Sequence, residues 1–221
     1  MGLFFLHEYR PDRIPVLFVH GISGSPANFR EIIQGIDTEH YQPWVFYYPS
    51  GFRIHLIANY LNQVLNYLRF HYRFTRMAIV AHSMGGLVAR DFLNTHSVSE
   101  NAYTINPFIS ISTPWAGHDA ARLGVKYAPA VVPAWNDLAP GSPFLNKLFA
   151  PPLDSEMTWA MFFSFRGSGG FADGNNDGVV SIASQLRPEA QDEADLMRGY
   201  DKSHMGILKD PDVAAMVNRI L

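Results

Sequence analysis

The sequence predicts a single α/β domain in which a mostly parallel sheet of about six strands carries helices on both faces. Short apolar runs alternate along the chain with stretches whose apolar residues recur every three or four positions. Strands that alternate with helices are joined by right-handed crossovers, which place helices on both faces of a parallel sheet. The 221 residues, of which 48% are hydrophobic and 17% charged, suit one substantial core.

The predicted strands are apolar runs bounded by glycine, proline or polar residues. They occupy residues 16–19, 44–48, 77–81, 108–112, 158–165 and 193–200. Helical periodicity marks residues 27–35, 54–68, 87–93 and 213–221. We expect Ser23 or Ser25 to cap the first of these helices, and the chain to enter the last one through Asp210 and Pro211.

Residues 114–152 depart from this alternation. The segment is rich in proline, alanine and aromatic residues and carries little charge. We expect short helices that form a small cap or lid over one end of the sheet, because long connections of this kind often carry binding surface. The alternative is an irregular segment whose aromatic side chains pack into a satellite cluster.

Composition excludes several functional classes. A net charge of −3 without clustered basic residues does not indicate nucleic-acid binding. The absence of cysteine excludes disulfides, thiolate nucleophiles and cysteine-ligated metals. No apolar run is long enough to cross a bilayer, so we expect a protein that is soluble or at most associated with a membrane surface. The first residues do not resemble a signal peptide, and the sequence leaves open a cytoplasmic protein or a secreted or periplasmic one whose leader has been removed.

One serine has the local sequence of a nucleophile. The string Ala81-His82-Ser83-Met84-Gly85-Gly86 puts Ser83 between a predicted strand and a predicted helix. A nucleophile elbow requires this strand–turn–helix context and small neighbours around the serine. Ala81 stands where glycine is usual, and a methyl group is the smallest possible departure. Ser83 is therefore the predicted catalytic nucleophile.

A serine nucleophile of this kind needs a histidine base, which follows the acid in chain order. Three histidines follow Ser83. His96 falls where the helix after the elbow ends, and His118 precedes the acidic candidates. His204, in a polar loop before the last helix, is the predicted base.

The acid is expected in a loop after a strand that follows the elbow. Asp177 lies in the polar turn Asn175-Asn176-Asp177-Gly178 and is the first choice, with Asp173 as the alternative. The same turn matches the first half of a calcium loop, with oxygen ligands at positions 1, 3 and 5 and glycine at position 6. Its twelfth position is Ser184 where a glutamate is required, so an EF-hand is disfavoured, although a weaker cation site stays open.

Acyl transfer also needs backbone donors for the oxyanion. We expect them to be the N–H groups of Met84, directly after the nucleophile, and of Ile22, in the loop after the first predicted strand. Gly21 would let the backbone approach the substrate there. We expect His20 and His82 to be structural and to hydrogen-bond nearby backbone.

With these motifs, the chain resembles the α/β-hydrolase superfamily, and within it the compact bacterial lipases and esterases, including the inositol-deacylase-like branch. The motifs Ser112-Thr113-Pro114-Trp115-Ala116-Gly117, Asp177-Gly178 and Ser203-His204 extend this resemblance over nearly the whole length. It implies hydrolysis of carboxylic esters through an acyl-enzyme, without a cofactor or metal. We expect Trp115, Trp135 and His82 to contribute to the substrate site, where a lipid or a small ester would bind.

The sequence leaves open which reaction the triad performs. Amide or thioester hydrolysis and acyl transfer use the same residues, and a non-catalytic member of this fold would be a binding module. Acyl chain length, the distinction between lipase and esterase, and the oligomeric state are also not determined by the sequence.

Overall fold

The computed structural model describes residues 1–96, 103–167 and 174–221, and within them a seven-stranded sheet. The strands are β1 (Gly2–Phe5), β2 (Ile14–Val19), β3 (Tyr41–Tyr47), β4 (Arg76–His82), β5 (Thr104–Ile111), β6 (Trp159–Ser164) and β7 (Leu196–Tyr200). Their spatial order is β1-β3-β2-β4-β5-β6-β7, and every neighbouring pair is parallel except β1 with β3. The predicted mostly parallel α/β sheet is confirmed.

The helices surround this sheet. They are α1 (Arg30–Gln34), α2 (Ile54–Tyr72), α3 (Met84–His96), α4 (Asp119–Tyr127), α5 (Pro133–Leu138), α6 (Pro143–Leu148), α7 (Ile182–Gln185), α8 (Pro188–Glu193) and α9 (Pro211–Ile220). The helix predicted at residues 27–35 is divided into a 3-10 turn, Pro26–Phe29, followed by α1. Asp210 caps α9 by accepting hydrogen bonds from two backbone N–H groups of its first turn, and Pro211 begins the helix as expected.

Two ends of the sheet differ from the prediction. β1 was not predicted, because four residues at an edge with little burial carry no readable alternation. The last strand was predicted to begin at residue 193 but begins at Leu196, because residues 188–193 form α8 behind Pro188. A proline at the first helical position favours that short helix over an extended strand.

The core has two parts, one on each face of the sheet. In β4, Met77, Ile79 and Ala81 belong to one cluster, and the intervening Ala78 and Val80 belong to the other. The first cluster includes side chains of α2 and α3, and the second includes side chains of α1 and α9. This alternation follows from the two-residue period of a strand, and it accounts for the continuous apolar runs in the sequence.

Residues 114–152 form three short helices, α4, α5 and α6, on the α2–α3 side of the sheet. α4 and α5 pack closely, because Gly124 lies directly against the indole of Trp135 and a Cβ there would come within 2.7 Å of the ring. No helix in the described part of the chain has the length and apolarity needed to cross a membrane.

Candidate active site

Ser83 occupies the sharp turn between β4 and α3. Its φ of 54° lies in the left-handed region, which a non-glycine residue adopts only where the surroundings enforce it. Its N–H donates to the Ile111 carbonyl at 2.8 Å, which ties the turn to β5. A Cβ on Gly85 would lie 2.2 Å from the Val19 carbonyl oxygen, and one on Gly86 would lie 2.0 Å from the Thr113 hydroxyl. The two glycines therefore let the start of α3 press against the sheet and hold the elbow in place.

The structure brings Ser83, His204 and Asp177 together. The Nε2 atom of His204 lies 2.9 Å from the Ser83 hydroxyl oxygen, and its Nδ1 atom lies 2.7 Å from Oδ2 of Asp177. The exposed fractions of the three residues are only 5%, 6% and 0%. Parallel strands explain the meeting, because the loops that follow β4, β6 and β7 all leave the same edge of the sheet.

Asp177 is held as a carboxylate by the donors around it. Oδ1 accepts from the backbone N–H groups of Val179 and Val180, and Oδ2 accepts from His204 and from the Ser164 hydroxyl. Burial alone would raise the pKa of Asp177, but these hydrogen bonds outweigh it and lower the pKa below its ordinary value. The carboxylate therefore stays charged beside the imidazole.

The backbone of His204 is fixed on both sides. Its N–H donates to the Asp177 carbonyl at 2.9 Å, and its own carbonyl accepts from Nε2 of His82 at 2.9 Å. Complete burial, with a further contribution from neighbouring His204, lowers the pKa of His82 to about 3, so its ring is a neutral donor. His20 likewise donates from Nδ1 to the Gly21 carbonyl at 2.8 Å. Both rings hydrogen-bond nearby backbone, as the sequence analysis expected.

Ile22 and Met84 both line a cavity of about 350 Å³ beside Ser83. Gly21 presses against the serine, because a Cβ there would lie 2.8 Å from the Ser83 Cβ atom. Met84 is the first residue of α3, where a helix leaves its N–H groups unpaired and the helix dipole favours negative charge. The two residues expected to supply the oxyanion donors therefore flank the serine from separate loops.

The cavity is predominantly apolar. α4 contributes Ala120 and Ala121, α5 contributes Trp135 and Leu138, and the mouth includes Val179 and Met205. None of the described residues that line it is an aspartate, a glutamate, a lysine or an arginine. Such a wall favours an uncharged, largely apolar group next to Ser83.

Two of the three residues expected at the substrate site, His82 and Trp135, line the cavity. Trp115 does not, and that expectation is corrected: its side chain is fully buried and packs edge-on against Phe149 and Trp159. The resemblance placed Trp115 beside the acyl pocket, but an apolar ring four residues beyond the end of β5 also fits the core. Within residues 114–152, the structure shows aromatic packing around Trp115 and a cavity wall at Trp135.

His118 was set aside as a base, and the structure nevertheless places it in the cavity wall. Its Nδ1 accepts from the Ala120 N–H at 3.0 Å and caps α4. Burial, followed by the field of His204, lowers the pKa of His118, which keeps the ring neutral. Chain order argues against His118 as the base. Its position near the start of the aromatic segment 114–152 was the only sequence signal for a place in the pocket.

Asp173, which is both the alternative acid and the first position of the calcium-like loop, lies outside the described residues. Asp177, at the fifth position of that loop, points its carboxylate at His204 and at backbone N–H groups. Among the residues that the structure describes, no group of three potential metal ligands comes together.

Comparison with known proteins agrees with this geometry. A model of the family described as alpha/beta hydrolase of unknown function (DUF915) matches residues 53–131, which include the elbow. The mature lipase BlEst2 of Bacillus licheniformis superimposes with a TM-score of 0.70 at 18% identity, over 98% of this chain and 96% of that one. The chain has the α/β-hydrolase fold. The α/β-hydrolase fold implied by the motifs is confirmed.

Two further solved structures are similar over most of this chain. The product of the gene lin2722 of Listeria innocua matches with a TM-score of 0.67 at 14% identity, over 95% of this chain and 94% of that one. Lipase B of Aspergillus fumigatus matches with a TM-score of 0.67 at 16% identity. The match covers 98% of this chain and 55% of the lipase chain. Among curated proteins, no match to this chain is found.

Proposed function

We propose that this α/β-hydrolase is a serine carboxylic ester hydrolase that acts on esters with an apolar acyl group. One observation carries the proposal: a buried serine, histidine and aspartate form a continuous hydrogen-bonded chain whose serine opens onto an apolar cavity. A serine hydroxyl is a weak nucleophile until a positioned base takes its proton, and this arrangement supplies that base.

In the first half of the reaction, the Ser83 oxygen attacks the ester carbonyl carbon while its proton passes to Nε2 of His204. The N–H groups of Ile22 and Met84 stabilise the negative oxygen of the tetrahedral intermediate. His204 then gives its proton to the leaving alcohol oxygen, the carbon–oxygen bond breaks, and an acyl-enzyme remains. Asp177 stays ionised and stabilises the imidazolium.

In the second half, a water molecule attacks the acyl-enzyme carbonyl and His204 takes the water proton. The intermediate collapses, the proton returns to the Ser83 oxygen, and the carboxylic acid leaves. The balanced result is one ester and one water converted to one acid and one alcohol. No redox partner is needed.

The cap expected from the sequence belongs to this proposal. α4 and α5 supply one wall of the cavity, so residues 114–152 act in it as a small cap on a single domain. The neutral lining supports an acyl chain there rather than a charged group. The lipases named among the structural neighbours support an ester as the substrate class.

The test is hydrolysis of p-nitrophenyl esters of graded acyl length by the wild type and by Ser83→Ala. We expect serine-dependent hydrolysis in the wild type, and a loss of at least about a thousandfold in kcat for the variant, because triad members act as a unit. Parallel thioester, amide and triglyceride assays separate the reactions open to a triad. Wild-type turnover equal to that of Ser83→Ala on every ester would overturn the proposal.

A further inference from the structure

The hydrogen-bonded chain does not end at Asp177. Oδ2 of Asp177 also accepts from the hydroxyl of Ser164 at 2.7 Å, and the Ser164 oxygen lies 2.7 Å from the hydroxyl oxygen of Ser112. Ser112 and Ser164 are both 0% exposed, one directly after β5 and the other at the end of β6. Buried hydroxyls need partners within the protein, and these two find them in one another and in the carboxylate.

The direction of this chain is fixed by chemistry. A carboxylate can only accept hydrogen bonds, so Ser164 donates its single hydroxyl proton to Asp177. The proton between the two serines must therefore come from Ser112, which makes Ser112 the donor and Ser164 the acceptor. Each donation polarises the next, so the hydrogen bond from Ser164 to Asp177 is strengthened by the one behind it.

Ser112 adopts an unusual backbone conformation to make this contact. Its φ is 49°, in the left-handed region that non-glycine residues seldom occupy, and its N–H donates to the Phe162 carbonyl at 2.8 Å. A strained residue in a buried strand end persists only where its surroundings enforce it, and such residues cluster at active sites. Here the strained residue ends the polar chain that leads to Asp177.

Gln185 of α7 hydrogen-bonds to both Ser164 and Asp177. Its amide oxygen accepts from the Ser164 N–H at 3.0 Å, and its amide nitrogen donates to the Ser164 carbonyl at 3.0 Å and to Oδ2 of Asp177 at 3.2 Å. The side chain is 1% exposed, so water does not compete for these partners. The end of β6 and the acid loop are thereby locked together.

We propose that Ser164, oriented by Ser112 and framed by Gln185, is a positioning residue for the triad. Its hydroxyl fixes Oδ2 of Asp177 toward His204 and takes up part of the negative charge on that oxygen. The inference rests on the proposed function, because it assigns Ser164 a part in setting how strongly His204 acts as a base.

Removal of the Ser164 hydroxyl should shift the pH profile in one direction, which can be measured. Without Ser164 as donor, more of the Asp177 charge acts on the imidazolium form of His204, so protonated His204 persists to higher pH. The other titratable groups that face this pair are His82 of β4, whose ring centre is 4.7 Å from that of His204, and His118 at the start of α4. Burial keeps both of them neutral, so neither hides the change.

The experiment measures kcat, KM and the pH profile of kcat/KM for wild type, Ser164→Ala, Ser164→Cys and Ser112→Ala. We expect Ser164→Ala to lower kcat roughly tenfold with KM unchanged, as for other residues that orient a reactive group. Its acidic half-maximum should move to higher pH by roughly half a unit. Ser164→Cys, with a weak S–H donor, and Ser112→Ala should shift it less and in the same direction.

Ser110→Ala is the matched control. Ser110 is also a fully buried serine of β5, but its hydroxyl accepts from the Trp159 indole at 2.9 Å and does not reach Asp177. We expect a loss of stability without a shift of the pH profile. If Ser164→Ala does not fold, Ser112→Ala and Ser164→Cys carry the same test.

Two failures are distinguishable. If wild type lacks serine-dependent hydrolysis, the proposed function fails whatever Ser164 does. If wild type is active but the Ser164 and Ser112 variants keep its pH profile, as Ser110→Ala does, the positioning role is overturned and the proposed function stands.

Discussion

Buried ionisable side chains around Ser83 are held in single protonation states by their partners. Asp177 is a carboxylate because its donors outweigh the effect of burial, and His82 is neutral because burial dominates over its one carbonyl contact. The same protein interior therefore lowers the pKa of an acid and of a base, for different reasons. In the proposed mechanism, His204 lies between them and is the group that exchanges a proton with Ser83.

His82 makes the stability of the protein depend on pH. Its pKa is about 3 in the folded chain and ordinary, near 6.5, in the unfolded one. Stability from this group is therefore complete above pH 6.5 and declines as pH falls toward 3, by up to about 1.4 kcal/mol per pH unit, because only the unfolded chain takes up the proton. Urea unfolding at pH 7 and pH 5 measures the decline.

His82→Gln is the comparison for that measurement, because glutamine retains an N–H donor but does not titrate. The free energy of unfolding should fall less between pH 7 and pH 5 in the variant than in the wild type. The remaining slope comes from other buried histidines, such as His20 and His96, whose pKa values are also lowered by burial. Equal slopes in both proteins would contradict the assignment of His82 as a neutral buried donor.

The turn between β4 and α3 depends on backbone contacts that only glycine allows. A Cβ at Gly85 would lie 2.2 Å from the Val19 carbonyl oxygen and 2.5 Å from that of His20, and both are backbone atoms that cannot turn aside as a flexible side chain could. Gly85→Ala should therefore lower the free energy of unfolding by about 3 kcal/mol or more. Urea unfolding followed by circular dichroism measures the change.

Gly51→Ala is the control for that substitution. The nearest atom to a Cβ at Gly51 is a Val132 methyl group at 3.4 Å, an ordinary contact. We expect a change within about 1 kcal/mol, as for other tolerated surface substitutions. An equal loss in the two variants would show that close packing at the elbow is not the cause.

The contact between α4 and α5 controls the size of the cavity. Trp135 forms part of the cavity wall and packs against Gly124, so its truncation opens space next to Ala120 and Ala121. Trp135→Ala should shift the preferred p-nitrophenyl ester toward longer acyl chains, measured as the ratio of kcat/KM values across the series. Trp115→Ala removes an indole that does not line the cavity, so it should lower stability without shifting that preference. A shift in Trp115→Ala alone would contradict this assignment.

Elements with strong local signals could be predicted from the sequence, and the others could not. The apolar runs of β2 and β4 and the long period of α2 identified them, because their side chains are buried on a regular pattern. β1 was missed because it is stabilised by pairing with β3, which local sequence does not encode. The start of β7 was predicted too early, because a proline-initiated turn of helix precedes the strand.

The candidate site follows the same rule. The sequence predicts Ser83, His204 and Asp177, because chain order and loop position restrict the choice to a few residues. It does not predict Ser112, Ser164 and Gln185, because serine and glutamine at strand ends and in short helices have no distinguishing sequence pattern. Their role depends on three segments meeting behind Asp177, which only the folded chain shows.

Across the whole molecule, one buried arginine joins the end of residues 114–152 to the rest of the chain. Arg90 of α3 has a fully buried side chain that donates to Glu193 of α8 at 2.8 Å and to the Pro151 carbonyl at 2.9 Å, and its guanidinium lies over the Phe149 ring. Arg90 therefore fastens the end of this segment to α3, and the ion pair with Glu193 holds the guanidinium in place.

Removal of the acid should be costly. Glu193→Ala leaves the Arg90 charge buried with neutral partners, so we expect the free energy of unfolding to fall by about 3 kcal/mol. Asp201→Ala is the control, since it breaks a pair with Arg166 in which both side chains are more than half exposed, and it should cost less than about 1 kcal/mol. Chemical denaturation of both variants gives the comparison, and similar small losses would mean that Glu193 does not stabilise the buried Arg90.

The most direct test of the catalytic serine is covalent labelling by a fluorophosphonate probe, which reacts with an activated serine and reports its position by peptide mass spectrometry. We predict one adduct per chain, on the peptide that contains Ser83, and its loss in both Ser83→Ala and His204→Ala. Labelling that maps to another serine, or that persists unchanged in either variant, would contradict a nucleophile at Ser83 activated by His204.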